Sequence, residues 1–130
     1  MGRFLTAAGE LPTLAMTSPA VRAKRTLELA MAAGGWTCPA VVSSGLYGEA
    51  EEILTAIRSA PWGARRLLIV GHEPALSAAA EVLTAGTAVR LPTAAMLALD
   101  LSADEWHAVA DGTAQISWLV TPRLLKLSHR

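Results

Sequence analysis

With 130 residues, the chain has the length of one domain and enough of it to bury a core. Eleven acidic and eleven basic side chains cancel to a formal net charge of zero, which excludes the basic excess expected of a nucleic-acid-binding face. Cys38 is the single cysteine, so an internal disulfide is excluded and a reducing cytoplasm is the expected location.

Residues 2–9 carry helical apolar spacing through Phe4, Leu5 and Ala8, with no capping residue ahead and Gly9 as a suitable end. They read as the closing turns of a helix that lacks its start. Residues 1–6 also fit the permissive N-myristoylation pattern, but no polybasic cluster adds a second membrane signal, so no membrane partner is expected. Arg3 and Glu10 interrupt the apolar core that a secretory signal needs.

Residues 11–17 read as a short strand with Leu14, Ala15 and Met16 buried. Ser18-Pro19 is a helix start, serine as N-cap and proline at the first helical position. That helix runs to Ala33, stops at Gly34-Gly35, and turns Val21, Leu27, Leu29, Ala30 and Met31 inward. Val41 and Val42 mark a second strand. The uncharged stretch 29–48 approaches the length of a membrane span, but Gly34-Gly35, Pro39 and Gly45 cut it into helix end, loop and strand.

Glu49, Glu51 and Glu52 load the first turn of a third helix, which ends near Ala60-Pro61. Leu67, Leu68, Ile69 and Val70 form a third strand, expected to be buried on both faces. Residues 74–84 form a further helix ended by Gly86. The alternation predicts a three-layer α/β/α domain with a mostly parallel sheet. After it come a strand over 94–101, a capping box at 102–105 opening a turn with Trp106, and a strand over 115–120. This last pair is expected to extend the sheet antiparallel, all within one domain covering 1–130.

Parallel α/β sheets gather ligands beyond the C-terminal ends of their strands. Two such ends carry suitable residues. At the first, Arg22, Lys24 and Arg25 crowd the opening turns of a helix whose dipole is already positive, and no acid precedes Glu28 there. An anion would relieve that arrangement; three solvated side chains would also tolerate it at a cost of tenths of a kcal/mol. At the second, Gly71 permits close backbone approach and His72 sits between a strand and a helix start, placed either to hold a phosphoryl oxygen or to bond the backbone. His107 and His129 read as surface residues. No metal-ligand spacing, dinucleotide fingerprint, phosphate loop or nucleophile elbow is present, so no cofactor is expected.

Taken together, these segments resemble the histidine phosphatase superfamily, and in particular the SixA-type phosphohistidine phosphatases. Residues 17–26, Thr-Ser-Pro-Ala-Val-Arg-Ala-Lys-Arg-Thr, resemble the family segment Ser-Pro-x-x-Arg-Ala-x-x-Thr. Residues 70–74, Val-Gly-His-Glu-Pro, resemble the segment with the second active-site histidine. Leu91-Pro92-Thr93-Ala94-Ala95 and residues 118–125, with Pro122, resemble later landmarks. The resemblance implies a phosphoglycerate-mutase-like fold, phosphoryl contacts from Arg22, His72 and Ser18, and a phosphorylated protein (phosphohistidine) or small phosphate ester as partner.

The family also begins with a strand ending in Arg-His-Gly, whose histidine is the nucleophile, and this chain has no Arg-His pair. The resemblance therefore implies a chain that lacks the first family strand and has little or no phosphatase activity, or a non-catalytic phosphate- or phosphoprotein-binding relative. Glu49 and Glu51 are the candidates for an acidic proton donor. The absent strand is expected beside residues 67–70, where an unpaired sheet edge would invite dimer pairing.

Overall fold

The computed structural model describes residues 2–61 and 63–123. In chain order the elements are α1 (Gly2–Ala7), β1 (Leu14–Thr17), α2 (Val21–Gly34), β2 (Ala40–Val42), a 3-10 turn (Ser44–Tyr47), α3 (Ala50–Arg58), β3 (Leu67–Val70), α4 (Ala75–Leu83), β4 (Met96–Asp100), a second 3-10 turn (Trp106–Ala108) and β5 (Gln115–Val120). The expected alternation and the antiparallel pair are both present. His129, Leu124 and Leu125, named above, lie outside the described residues.

β1 is the centre of a parallel three-stranded sheet ordered β2-β1-β3. Its residues pair with Leu67 to Val70 without a slip, Leu14 opposite Leu67 and Thr17 opposite Val70. Two apolar clusters cover the two faces. On one, α1 and α2 bring Leu5 and Leu27 onto Ala15, with Trp36, Leu68 and Val70. On the other, α3 and α4 bring Ile53, Ile57, Ala79 and Leu83 onto Leu14 and Met16. Odd and even positions of a strand face opposite ways, so this division follows from the period of two.

Local chemistry fixes several element ends. Gly35 closes α2 in the left-handed conformation at φ 68°, its N–H donating to the Met31 carbonyl. A capping box opens α3: the Glu49 carboxylate accepts the Glu52 N–H, and Glu52 Oε2 accepts the Glu49 N–H at 2.9 Å. A Cβ on Gly2 would overlap the Ala30 carbonyl, so α1 and α2 cross with glycine at the contact. The Trp36 indole N–H donates to Thr6 Oγ1 at 3.0 Å, and Thr6 in turn donates to the Gly34 carbonyl at 2.8 Å.

Four expectations change. α2 begins at Val21, not at Pro19, and its N-cap Ala20 makes no side-chain bond. Ser18 Oγ accepts the Ala20 N–H at 3.1 Å, so the serine forms a turn two residues ahead of the helix. With that later start Val21 and Leu29 face solvent, and Ala23 and Leu27 are the buried residues. β3 is half-buried throughout instead of fully buried, because among the described residues it pairs with β1 alone. The Trp106 turn is preceded by Glu105 with no side-chain cap bond, so the expected box at 102–105 does not form.

The fourth difference is topological. β4 and β5 pair antiparallel with each other, Met96 opposite Val120, and form a sheet of their own. Side chains attach this pair to the domain. Trp118 meets the Phe4 ring edge-on at 5.5 Å and donates to Glu10 Oε1 at 3.4 Å. Met96 and Trp118 join the cluster that holds Leu68 and Val70, while Leu99 and Leu101 join the opposite one. No described helix is long and apolar enough to cross a membrane.

Candidate functional site

The C-terminal ends of β2, β1 and β3 meet along one edge of the parallel sheet. The Ser18 N–H donates to the Val70 carbonyl at 2.9 Å, and the Ser43 N–H donates to the Thr17 carbonyl at 2.9 Å. Ser18, Gly71-His72 and the Ser44–Tyr47 turn therefore leave adjacent strands at the same level. This is the placement the strand order requires, since parallel neighbours in register end side by side.

Ser18 is fully buried, and Thr17 before it is 4% exposed. The loop to α2 thus starts from a fixed base. Arg22 and Lys24 lie exposed in the first turn and a half of the 14-residue α2. Among the described residues neither has an ion-pair partner, whereas Arg25 lies 3.9 Å from Glu28. The first turn contains no acid. The concentration of positive charge expected from the sequence is therefore present, and at Arg22 and Lys24 no described acidic side chain pairs with it.

His72 is half-buried at the end of β3. Its carbonyl accepts the Leu76 N–H at 3.3 Å, and its ring meets the Tyr47 ring with centroids 5.3 Å apart and planes at 68°. A Cβ on Gly71 would stand 3.4 Å from the Leu46 carbonyl, so glycine lets the end of β3 approach the 3-10 turn. The neighbouring acid, Glu73, turns away to α4: its carboxylate accepts the Ser77 N–H at 2.9 Å and the Ser77 hydroxyl. That is the stabilising place for an anion at a helix N-terminus.

Of the acids expected as proton donors, Glu49 spends its carboxylate on the α3 cap, and Glu51 is exposed in the first turn of α3. His107 is engaged by Glu105 at 3.1 Å. The adjacent Trp106 donates to the Ala64 carbonyl at 2.7 Å, which precedes β3, so this histidine belongs to the opposite end of the strand from His72. Cys38 is half-buried, and desolvation pushes its thiol up from the ordinary value, leaving it unsuited to act as a thiolate at neutral pH. Among the described residues no three His, Cys, Asp or Glu side chains form a metal-binding group.

Ser18, Arg22 and His72 are joined by strand register, with no direct bond between their side chains among the described residues. They occupy an open edge. A shallow depression between α3 and α4, lined by Ala50, Ala78, Glu81 and Gly86, involves none of them. The residue that sequence reasoning did not assign to the site is Tyr47. Its signal was its position, directly after the fully buried Leu46 and two residues before the α3 N-cap Glu49.

No protein-family model and no curated protein matches the chain. Solved structures do. A protein histidine phosphatase SixA complexed with tungstate is similar over 95% of this chain and 78% of its own, with TM-score 0.81 and 20% identity. A candidate phosphohistidine phosphatase SixA from Nakamurella multipartitia matches over 93% and 77%, with TM-score 0.72 and 25% identity. Another, from Agrobacterium tumefaciens, matches over 93% and 75%, with TM-score 0.74 and 19% identity. The chain has the SixA-type histidine phosphatase fold.

Proposed function

We propose that these residues form a phosphoryl-binding site of the phosphohistidine-phosphatase kind, with Arg22 as the principal anion ligand and His72 and Ser18 in support. The observation that carries this is the meeting of two strand ends. In-register pairing of Thr17 with Val70 sets the arginine loop beside the Gly71-His72 turn, on a fold shared with a tungstate-bound SixA.

The chemistry follows from the side chains. A guanidinium offers a planar fork of N–H donors that matches two phosphoryl oxygens, and the α2 dipole adds to its field. His72 supplies a further ring donor when protonated, at the edge where negative charge accumulates on the equatorial oxygens. Ser18 acts through the backbone: its buried hydroxyl shapes the turn that aims the first amides of α2.

Hydrolysis through a phosphohistidine intermediate needs a nucleophilic histidine beside this site. Besides His72, the sequence holds His107, placed at the other end of β3, and His129, outside the described residues. On this reading residues 1–130 bind a phosphoryl group and do not turn it over by that route. Loss of a nucleophile lowers turnover by roughly a millionfold.

The test is titration of residues 1–130 with inorganic phosphate, followed by 31P NMR, beside Arg22→Ala. Removing a charge-assisted bond is expected to weaken binding roughly tenfold to a hundredfold. A phosphohistidine peptide should stay intact in the same solution. Unchanged affinity in Arg22→Ala, or rapid hydrolysis by the parent chain, overturns the assignment.

A further inference from the structure

Tyr47 holds an unusual place for a large aromatic side chain. It is 62% exposed, yet it sits between a buried leucine and a hydrogen-bonded glycine. Leu46 before it is wholly buried. The Gly48 N–H after it donates to the Gly45 carbonyl at 3.2 Å, and a Cβ on Gly48 would overlap the Glu52 carboxylate. The α3 capping box follows at once. The turn is held at both ends, and it sends an aromatic ring into solvent against His72.

An exposed tyrosine gains little from burial, and among the described residues the ring contact it makes is with His72. With ring planes at 68° and centroids 5.3 Å apart, one ring turns its edge toward the other. That geometry is favourable for aromatic pairs and holds the imidazole from one side. The rest of the tyrosine ring stays open. Val21, 82% exposed, and Val42, 57% exposed, stand along the same sheet edge, so the surroundings of the charged centre are partly apolar.

We infer that Tyr47 is the substrate-facing residue of this site: it braces the His72 ring and offers its open surface to the planar ring that carries the phosphoryl group. The inference rests on the phosphoryl-binding reading and deepens it, because it favours an aromatic carrier of the phosphoryl group over an aliphatic one. A phosphoserine presents no ring to the tyrosine, and inorganic phosphate presents no carrier at all.

Three probes separate these contributions: inorganic phosphate, a phosphoserine peptide, and the same peptide with a stable triazole analogue of phosphohistidine. Tyr47→Ala is expected to weaken the triazole peptide roughly three- to tenfold, the size of one aromatic pair. Tyr47→Phe should restore its affinity, and Tyr47→Ala should weaken the other two probes clearly less than the triazole peptide. The His72 ring resonances report the bracing separately: Tyr47→Ala should shift them, and Tyr47→Phe should leave them near the parent positions. Equal losses for all three probes, or unshifted His72 resonances in Tyr47→Ala, overturn the inference while leaving the Arg22 assignment intact. If none of the three binds the parent chain, the phosphoryl-binding reading itself fails and the substrate role of Tyr47 falls with it.

Discussion

β1 and β3 are near-equivalents by sequence. Each has four residues, they pair without a slip, and each ends in a loop that carries a candidate site residue. Yet β1 is buried at every position and β3 at none. The cause is lateral: β1 lies between β2 and β3, and among the described residues β3 has one partner strand. The site inherits this asymmetry. Ser18 leaves β1 fully buried, its amide donating to Val70 and its hydroxyl accepting from Ala20. His72 leaves β3 half-buried, with its ring against an exposed tyrosine. The arginine loop is built on a fixed base, and the histidine is held by a looser one.

Substitution at matched positions tests that contrast most strongly. Leu14 and Leu67 are register partners facing the same cluster, Leu14 as a buried member and Leu67 as a partly buried neighbour. Leu14→Ala is expected to cost about 2–5 kcal/mol, as for a buried leucine in a packed core. Leu67→Ala should cost roughly half of that or less, since part of the side chain is already in water. Urea midpoints at a common slope measure both; equal losses would break the comparison.

The two loops should differ in the same direction by a smaller amount. Ser18→Ala leaves the Ala20 N–H without its acceptor at a partly buried turn, at a cost of about 1 kcal/mol. On the histidine side, Ser77→Ala removes a hydroxyl that donates to Glu73 in an exposed pair, and should change stability by no more than about 0.5 kcal/mol. Thermal melts of the two variants give the order; a larger loss for Ser77→Ala would reverse it.

What the sequence disclosed follows the same division. The layers were legible because helix and strand periods differ, and because glycines at 34–35 and 86 punctuate the helices. The two strand ends were legible because a parallel sheet delivers its loops to one edge. Lateral neighbours were not legible in the strands themselves; an open edge at residues 67–70 was expected only through the family resemblance. Four consecutive apolar residues report that a strand is covered above and below, and Leu67 to Val70 are indeed divided between two clusters. They say nothing about whether a strand lies alongside. Ser18 was legible as a hydroxyl that accepts a backbone N–H, but the turn it makes delays α2 to Val21 and leaves that valine in solvent. Tyr47 was hidden because its direction is set by turn geometry between β2 and α3, which no period encodes.

The edge of β3 gives the finest test, within a single strand. The Leu14 N–H donates to the Arg66 carbonyl and the Ser18 N–H to the Val70 carbonyl, which fixes the phase of the parallel ladder. In that phase Leu68 and Val70 turn their amides toward β1, and Leu67 and Ile69 turn theirs away. Among the described residues no hydrogen bond reaches the outward pair. Native-state hydrogen exchange should therefore alternate along β3, slow at Leu68 and Val70 and faster at Leu67 and Ile69. Along β1, which has a strand on both sides, protection should be uniform. An apolar edge of this kind is also open to pairing with a second chain, which would protect Leu67 and Ile69 as concentration rises. Uniform protection of β3 at every concentration would mean that another segment already covers that edge, and the difference between the two strands would then need another cause.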